Sequence, residues 1–151
     1  MTQPKELTDL QRLVGNWKVN VVARMPDGGE QWGSGTIVAE PICSDYGVKT
    51  ILRVDVEGIG PYEEHDLWGL DRDTGLLHLY SVTSSGAVHD HVGNMRDGRS
   101  IEFHWLGLHD GKDTVENLIL EFASPKEIHI HETDTVDGKP GPVFDYYMKR
   151  A

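Results

Sequence analysis

The sequence is poor in cysteine and in basic residues. Cys43 is the only cysteine among 151 residues, so no internal disulfide can form, and a lone thiol is typical of a reducing compartment. Asp and Glu number 25 against 14 Lys and Arg, which gives a formal net charge of −11. This balance argues against nucleic acid and against an anionic membrane as partners, because both are bound through clustered Lys and Arg.

Long apolar runs and targeting signals are also missing. The sequence contains no apolar run long enough to cross a membrane, and the N-terminal "MTQPKELTDLQ" has neither a basic region nor an apolar one. We therefore expect a cytoplasmic protein. The catalytic motifs G-x-S-x-G, Walker A, G-x-G-x-x-G and H-E-x-x-H are absent as well, so no motif names a reaction.

What the sequence does contain is a regular series of short alternating segments. Turn signals such as "MPDGGE", "EGIGPY" and "VDGKPGP" recur at intervals of about 8 to 12 residues, which predicts an all-β protein. A meander of many strands removes its exposed edges by closing into a barrel. The roughly ten predicted antiparallel strands are 15–25, 30–41, 46–57, 62–71, 76–83, 87–95, 100–108, 114–123, 127–136 and 142–149.

The segment before the first strand predicts one short helix. Residues 3–14 carry Leu7 and Leu10 at helical spacing, with Pro4 at a position that a helix accepts. We expect this helix to close one end of the barrel. The length of the chain fits a single domain over residues 1–151.

Two stretches resemble known barrels. "Gly15-Asn16-Trp17" resembles the Gly-x-Trp signature of lipocalins and other calycins, in which a basic residue packs over the Trp, here Arg150 or Lys149. "LWGLDRDTGLLHLYSVTSSGAVHDHVGNMRDGRS" is similar to a bacterial calycin-like family of unknown function. The resemblance implies an up-and-down calycin-like barrel that carries a small apolar ligand. One branch, the nitrobindins, binds haem through a His on the final strand, but "PVFDYYMK" contains none.

Short hairpin turns predict which side chains share a face. A two-residue turn at Asp97-Gly98 would pair Asp90 with Trp105, and a turn at Asp110-Gly111 would pair Trp105 with Glu116. The apolar side chains of these strands would share the face of Asp90, so we expect that face to point into the barrel. The other predicted pairs are Val82 with Val88, Tyr80 with Asp90, His78 with Val92, Leu70 with Leu76, Trp68 with His78, Asp66 with Tyr80, Val92 with Phe103, His91 with His104, Phe103 with Leu118 and Ile101 with Leu120.

These registers predict a cavity with one polar and one apolar side. An isolated buried carboxylate costs several kcal/mol, so a row of inward carboxylates favours a wet cavity or a polar ligand. The apolar side would come from the first three strands, through Trp17, Val19, Val21, Trp32, Val38, Val48, Leu52, Val54 and Val56. The predicted cavity-lining, ligand-binding residues are Asp66, Trp68, His78, Tyr80, Asp90, Trp105 and Glu116.

The same registers turn the histidines of "AVHDHV" outward. His89, His91 and His104 would share an outer face, where a three-His metal site is geometrically conceivable, but we expect a solvated surface and no metal. His129 and His131 are also expected at the surface, although the "ASPKE" loop leaves their register open.

The outer face also carries apolar residues. Leu77, Leu79 and Leu106 would lie beside the outward histidines, so a homodimer contact through this face is an open alternative.

The predicted function is non-covalent binding of a small, partly apolar molecule inside the barrel, without a cofactor. We expect a binding protein rather than an enzyme. One alternative is a cofactor-independent acid/base enzyme of the isomerase, hydratase or cyclase type, which would use the inward carboxylate, His and Tyr residues. The other is haem binding, for which His78 is the only histidine that the predicted registers place inside.

Overall fold

Ten antiparallel strands close into a barrel in the computed structural model, which describes residues 3–151. Each strand pairs with its neighbours in sequence and β1 pairs with β10, so the predicted ten-stranded, up-and-down, all-β barrel is confirmed. A short α-helix, α1 (Lys5–Leu10), and a 3-10 turn (Gln11–Leu13) precede the strands. The strands are β1 (Gly15–Arg24), β2 (Glu30–Ile42), β3 (Gly47–Val56), β4 (Gly60–Leu70), β5 (Leu77–Thr83), β6 (Val88–Met95), β7 (Ser100–His109), β8 (Lys112–Ser124), β9 (Glu127–Val136) and β10 (Lys139–Arg150).

The helix closes the end of the barrel at which β1 begins. Leu10 and Leu13 are almost completely buried in the same core as Trp17, whose Nε1 donates a hydrogen bond to the Leu13 carbonyl at 2.8 Å. The helical segment ends one residue earlier than predicted, because Val14 already has an extended backbone. None of the helices within residues 3–151 is long and apolar enough to cross a membrane.

Arg150 covers the same end of the barrel. Its guanidinium carbon lies 4.2 Å from the centre of the Trp17 ring, and its two terminal nitrogens donate to the carbonyls of Val14 and Arg12 at 2.9 and 3.1 Å. The basic residue expected over the Trp is therefore Arg150, whereas Lys149 points to solvent.

The apolar inward residues predicted on β1 and β3 are buried, but those on β2 are not. Trp32 is 50% exposed. Side chains alternate along a strand, and Ile37 and Ala39 occupy the inward face of β2, so Val38 as well as Trp32 must point outward.

Two of the predicted registers are confirmed. Strands β5 and β6 pair Tyr80 with Asp90, and strands β7 and β8 pair Trp105 with Glu116. Each of these hairpins therefore has the register that its turn signal predicts.

The turn between β6 and β7 is one residue longer than predicted. Arg96 N–H donates to the Ser100 carbonyl at 2.9 Å, which leaves a three-residue loop in which Gly98 has φ 75°. Asp97 stabilises this loop, because its Oδ1 accepts hydrogen bonds from the Arg99 and Ser100 N–H groups. The predicted pair of Asp90 with Trp105 is therefore wrong: Gly93 lies opposite Phe103 and Val92 lies opposite His104.

The turn between β4 and β5 is also displaced by one residue. Leu70 pairs with Leu77 rather than with Leu76. The Asp71 N–H donates to the Leu76 carbonyl at 2.9 Å, so the loop between the strands is one residue shorter than predicted. Trp68 consequently pairs with Leu79, and Asp66 pairs with Ser81.

The two displaced turns flank one hairpin, so they invert β5 and β6 together. A shift of one residue moves every side chain of a strand to the opposite face. Three predicted inward residues, His78, Tyr80 and Asp90, therefore point outward, while His89 and His91 point into the barrel. Leu77 and Leu79, predicted on the outer face, are buried, whereas Leu106 and His104 do lie outside.

Candidate functional site

A small cavity lies inside the barrel, with a volume of about 50 Å³. Most of its surface is apolar, and the polar side chains come from β3, β4, β9 and β10. The lining residues are Leu13, Ile37, Thr50, Leu52, Glu64, Asp66, Trp68, Leu79, Leu118, Ile130, Glu132, Tyr146 and Met148. Alternation along β4 places Glu64, Asp66 and Trp68 on the same inward face.

Asp66 is only half satisfied by hydrogen bonds from the protein. Its Oδ2 accepts a hydrogen bond from Thr50 Oγ1 at 3.0 Å, and Thr50 Oγ1 in turn accepts one from Trp68 Nε1 at 2.9 Å. Its Oδ1 is buried and has no hydrogen-bond partner among the described residues, and the same holds for Ser81 Oγ on the neighbouring strand. Burial, followed by the nearby charge of Glu64, raises the pKa of Asp66 well above its usual value.

Burial also raises the pKa of two carboxyl groups on β9, those of Glu132 and Asp134. Burial and the charge of Asp134 raise the pKa of Glu132, and burial and the charge of Glu116 raise the pKa of Asp134 to about 6. Tyr62 Oη donates to Glu64 Oε2 at 2.6 Å. The interior can therefore present protonated carboxyls near neutral pH, which donate as well as accept hydrogen bonds.

A second polar cluster lies nearer the other end of the barrel, around the inward histidines. His89 Nδ1 lies 3.0 Å from Glu116 Oε1, and His91 Nε2 lies 2.7 Å from Glu116 Oε2. Burial raises the pKa of Glu116, but the hydrogen bond with His91 and the charge of His89 outweigh it and lower the pKa overall. We call His89, His91 and Glu116 the inner cluster.

Aromatic rings hold the inner cluster in place. The ring of His89 stacks on Trp105 with centroids 3.5 Å apart and planes at 16°, and the edge of His109 lies against it at 5.6 Å. The ladder between β6 and β7 begins only at Val92 and His104, so both strands separate above that point. The gap holds a groove of about 150 Å³ lined by Ser85, Gly86, Ala87, Val88, His89, Leu108, His109 and Asp110.

Histidines 129 and 131 form a comparable cluster on the outside of the barrel. His129 Nε2 and His131 Nδ1 lie 2.7 and 2.8 Å from Asp145 Oδ1, and Arg24 Nη1 lies 2.5 Å from Asp145 Oδ2. We call His129, His131 and Asp145 the outer cluster. Burial raises the pKa of Asp145, but the hydrogen bonds from His131, His129 and Arg24 outweigh it and lower the pKa overall.

Three groups of side chains could geometrically hold a metal ion among the described residues. They are the inner cluster, the outer cluster, and Glu116 with Glu132 and Asp134, and within each group one donor atom per residue lies within 4.8 Å of the others. The predicted outer three-His arrangement does not form, because His104 lies outside while His89 and His91 lie inside.

The structure separates the seven predicted ligand-binding residues into three places. Asp66 and Trp68 line the cavity, and Trp105 and Glu116 lie inside the barrel at the inner cluster. The other three lie outside, where His78 Nδ1 is 3.1 Å from Asp90 Oδ1 and Tyr80 is exposed. With His78 outside, the predicted haem hypothesis loses its histidine.

Several inward residues were not predicted, although parts of the sequence point to them. Glu64 precedes Asp66 by two residues on the same strand, so simple alternation would have included it. Glu132 lies on the same face of β9 as the buried Ile128 and Ile130. Predicting its position requires the register that the "ASPKE" loop sets between β8 and β9. The sequence gives no comparable signal for His89 and His91, because their face depends on the exact length of two turns.

Comparison with known proteins shows the fold and no family. No family model and no curated protein matches the sequence. Among solved structures, Rv2717c from M. tuberculosis superposes with a TM-score of 0.72 at 16% identity, over 100% of this chain and 99% of that one. The S-type phycobiliprotein lyase CPES from Guillardia theta gives 0.68 at 10% identity, over 99% and 98%. A redesigned β-barrel, mFAP0, bound to DFHBI gives 0.52 at 17% identity, over 93% and 100%.

Proposed function

We propose that the barrel binds a small, partly apolar molecule non-covalently, through the cavity that contains Asp66. One observation carries this proposal: Asp66 Oδ1 is buried beside an apolar cavity and has no hydrogen-bond partner among the described residues. A buried polar atom without a partner costs about 1–3 kcal/mol, and a ligand that donates a hydrogen bond to it would recover that cost.

The cavity also indicates the chemistry of the ligand. Its polar groups are the carboxyls of Glu64, Asp66 and Glu132 and the phenol of Tyr146, and Lys or Arg is absent from its lining. These groups favour a ligand with a cationic or hydrogen-bond-donating end, such as an amine, and an apolar body that packs against Trp68 and Leu118. Support for a small-molecule ligand of any class comes from mFAP0, a similar barrel whose structure holds the small molecule DFHBI.

The size of the cavity sets a requirement on binding. A volume of about 50 Å³ is well below the roughly 300–1,000 Å³ of typical ligand pockets. The ligand is therefore small, or it displaces lining side chains and enters where β6 and β7 separate.

Native mass spectrometry of the protein as isolated tests this proposal, followed by titration with small amines such as benzylamine and hexylamine. We expect a bound small molecule, or amine binding, in the wild type and in Asp90→Asn, whose carboxyl lies outside. Asp66→Asn should weaken binding by at least about tenfold, since the amide cannot become negatively charged when a cationic amine binds and has half of the acceptor capacity. Equal binding by the two variants, or no binding by the wild type, would contradict the proposal.

A second candidate function is acid/base catalysis in the same cavity. It is favoured by the neighbouring carboxyls of Glu132 and Asp134, because groups with a raised pKa can transfer protons near neutral pH. Burial and the charge of Asp134 raise the pKa of Glu132, whereas burial and the charge of Glu116 raise the pKa of Asp134. If a bound molecule is identified and is turned over, Glu132→Gln should abolish turnover while leaving affinity for that molecule within about threefold. Unchanged turnover in the folded variant would remove this candidate.

We further propose that the chain is a calycin-like barrel forming one domain over residues 1–151. The packing of Arg150 over Trp17, with hydrogen bonds to the carbonyls of Arg12 and Val14, supports the resemblance. A single cooperative unfolding transition is the expected result, and Arg150→Ala should lower its midpoint by removing all of these contacts at once.

A further inference from the structure

The protonation of His91 is fixed on one side by the backbone. Its Nδ1 lies 3.2 Å from the Leu79 carbonyl oxygen in a buried position. A carbonyl only accepts hydrogen bonds, so Nδ1 carries the proton and donates it. In a neutral imidazole the other nitrogen, Nε2, then has a lone pair and no proton.

That lone pair faces a carboxylate. Nε2 of His91 lies 2.7 Å from Oε2, one of the two oxygens of the Glu116 carboxyl group. Two lone pairs at this distance repel each other. A proton or a metal cation must therefore lie between or beside these two atoms.

The second histidine of the inner cluster presents its nitrogen to the same carboxylate. Nδ1 of His89 lies 3.0 Å from Glu116 Oε1, and stacking on Trp105 fixes the orientation of the ring.

The donor atoms of the three residues lie close enough together to approach a single ion. Ligands about 2.1 Å from a metal lie about 3.0 Å apart in an octahedral arrangement and about 3.4 Å apart in a tetrahedral one. The two nitrogen–oxygen distances are 2.7 and 3.0 Å, and one donor atom from each residue lies within 4.8 Å of the others. A hydrogen bond from a metal-binding His to a backbone carbonyl, as in His91, is also the usual way in which such ligands are oriented.

Asp134, next to the inner cluster, has a buried carboxyl oxygen without a partner among the described residues, which a nearby cation would compensate. Asp134 lies directly opposite Glu116 in the β8–β9 ladder, and its Oδ1 is buried without a hydrogen-bond partner among the described residues. Within the described part of the chain, the ion pairs of Glu116 are those with His89 and His91, and no Lys or Arg takes part. The outer cluster differs, because Arg24 already supplies the positive charge to Asp145.

The inner cluster is also accessible. His89 and His109 line the groove where β6 and β7 separate, so an ion can reach the cluster from the open end of the barrel.

We propose that His89, His91 and Glu116 bind one divalent transition-metal ion of the borderline class, such as Zn²⁺ or Fe²⁺, with at least one coordination position open toward the groove. Two imidazoles and one carboxylate are a donor set that such ions accept while keeping positions for water or a ligand. The site adjoins the cavity through Glu132 but takes no ligand atom from Asp66, so it does not depend on the proposed ligand-binding function.

Metal-free protein, prepared by dialysis against a chelator, tests the proposal when it is titrated with Zn²⁺ by calorimetry and with Co²⁺ by visible absorption. We expect one ion per chain with a Kd of about 10 μM or tighter, and d–d absorption bands for Co²⁺. His89→Asn, His91→Asn and Glu116→Gln should each weaken binding by at least about tenfold. The double variant His129→Asn/His131→Asn is the matched control, and its affinity should equal that of the wild type.

The outcomes separate clearly. No Zn²⁺ binding by the wild type, wild-type affinity in folded Glu116→Gln, or loss of binding only in the control would each overturn the proposal. Glu116→Gln keeps the size of the side chain, so it decides the question if the His91 variant does not fold. Nitrogen-15 NMR of the histidine rings gives an independent readout: His91 Nε2 should show the shift of a metal-bound nitrogen on Zn²⁺ addition, and an imidazolium signal in excess Zn²⁺ would contradict the site. Failure of Asp66→Asn to affect amine binding would leave this result untouched.

Discussion

The inner and outer clusters contain the same kinds of side chain but lie in different surroundings. Each contains two histidines that are two residues apart on one strand and a carboxylate on another strand. The side chains of His89 and His91 are 9% and 5% exposed, whereas those of His129 and His131 are 35% and 42% exposed. Each cluster also has one histidine stacked on an aromatic ring, Trp105 inside and Tyr147 outside.

The difference lies in what balances the carboxylate. Asp145 in the outer cluster receives hydrogen bonds from both histidines and from Arg24, so its charge is compensated within the protein. Among residues 3–151, Glu116 of the inner cluster has the two histidines as its only charged partners, and Nδ1 of His91 already donates to a backbone carbonyl. A His-x-His pair is therefore no indicator of a metal site until its face and its other charged neighbours are known.

Removing the stacked ring should give the largest difference between the clusters. We expect Trp105→Ala to lower the free energy of unfolding by about 2–4 kcal/mol, because a large inward side chain that packs on His89 is lost. Tyr147→Ala removes the ring that stacks on His129, but Tyr147 is 42% exposed, so its cost should be about 0.5–1 kcal/mol. Urea denaturation of both variants measures the difference, and equal costs would show that the inner stacking is not buried as the structure has it.

The contributions of the inner carboxyl Asp66 and the outer carboxyl Asp145 to stability should change with pH in opposite directions. The pKa of Asp66 is raised in the folded state, so its contribution to stability is fully present below the unfolded pKa of about 4 and is lost as pH rises through the folded pKa. We expect Asp66→Asn to match the wild type near pH 4 and to be more stable by about 1–3 kcal/mol at pH 8. Urea denaturation across this range measures it, and a variant that is less stable at pH 8 would refute the assignment.

The outer carboxylate should show the reverse sign. The pKa of Asp145 is lowered, so its stabilising effect is present above the unfolded pKa and is lost as pH falls through the folded pKa, below about 4. Asp145→Asn should therefore cost about 1 kcal/mol at pH 7, through weaker hydrogen bonds with Arg24, His129 and His131. The gap from the wild type should shrink in acid, and a gap that widens there would contradict this pairing.

The smallest expected effect concerns the turn that sets the inward face of His89 and His91. Gly98 has φ 75° in the three-residue loop, a conformation that costs about 1 kcal/mol for a side chain with a Cβ. Gly98→Ala should lower stability by about 0.5–1 kcal/mol without changing the register. Amide exchange in β6 reports the register, and loss of protection across the whole of β6 would show that the loop alone holds the hairpin in place.

Much of the fold can be predicted from the sequence, because turn residues mark both ends of every strand. The ranges predicted for the strands agree with the observed ones to within a few residues, and the pairs Tyr80–Asp90 and Trp105–Glu116 are correct. The positions of the candidate site residues are predicted correctly in two cases. Trp105 and Glu116 depend on the correct register between β7 and β8, and Asp66 and Trp68 depend only on the alternation of side chains along β4. Asp66, Trp68, Trp105 and Glu116 are inside as expected, while the residues of the intervening hairpin are not.

The amino-acid sequence by itself determined the strands and the closing helix, because alternation and turn residues are local signals. The sequence left Arg150 and Lys149 as alternatives for the basic residue over Trp17, and the structure has Arg150 there. Only the tertiary structure decided which face of β5 and β6 points inward. Apolar residues occupy both faces of that hairpin, with Leu77 and Leu79 on one and Val82 and Val88 on the other. Local hydrophobicity therefore does not choose between the faces. The choice is made by ladders on both sides, which join the hairpin to β4 and β7 and bring His89 and His91 to Glu116.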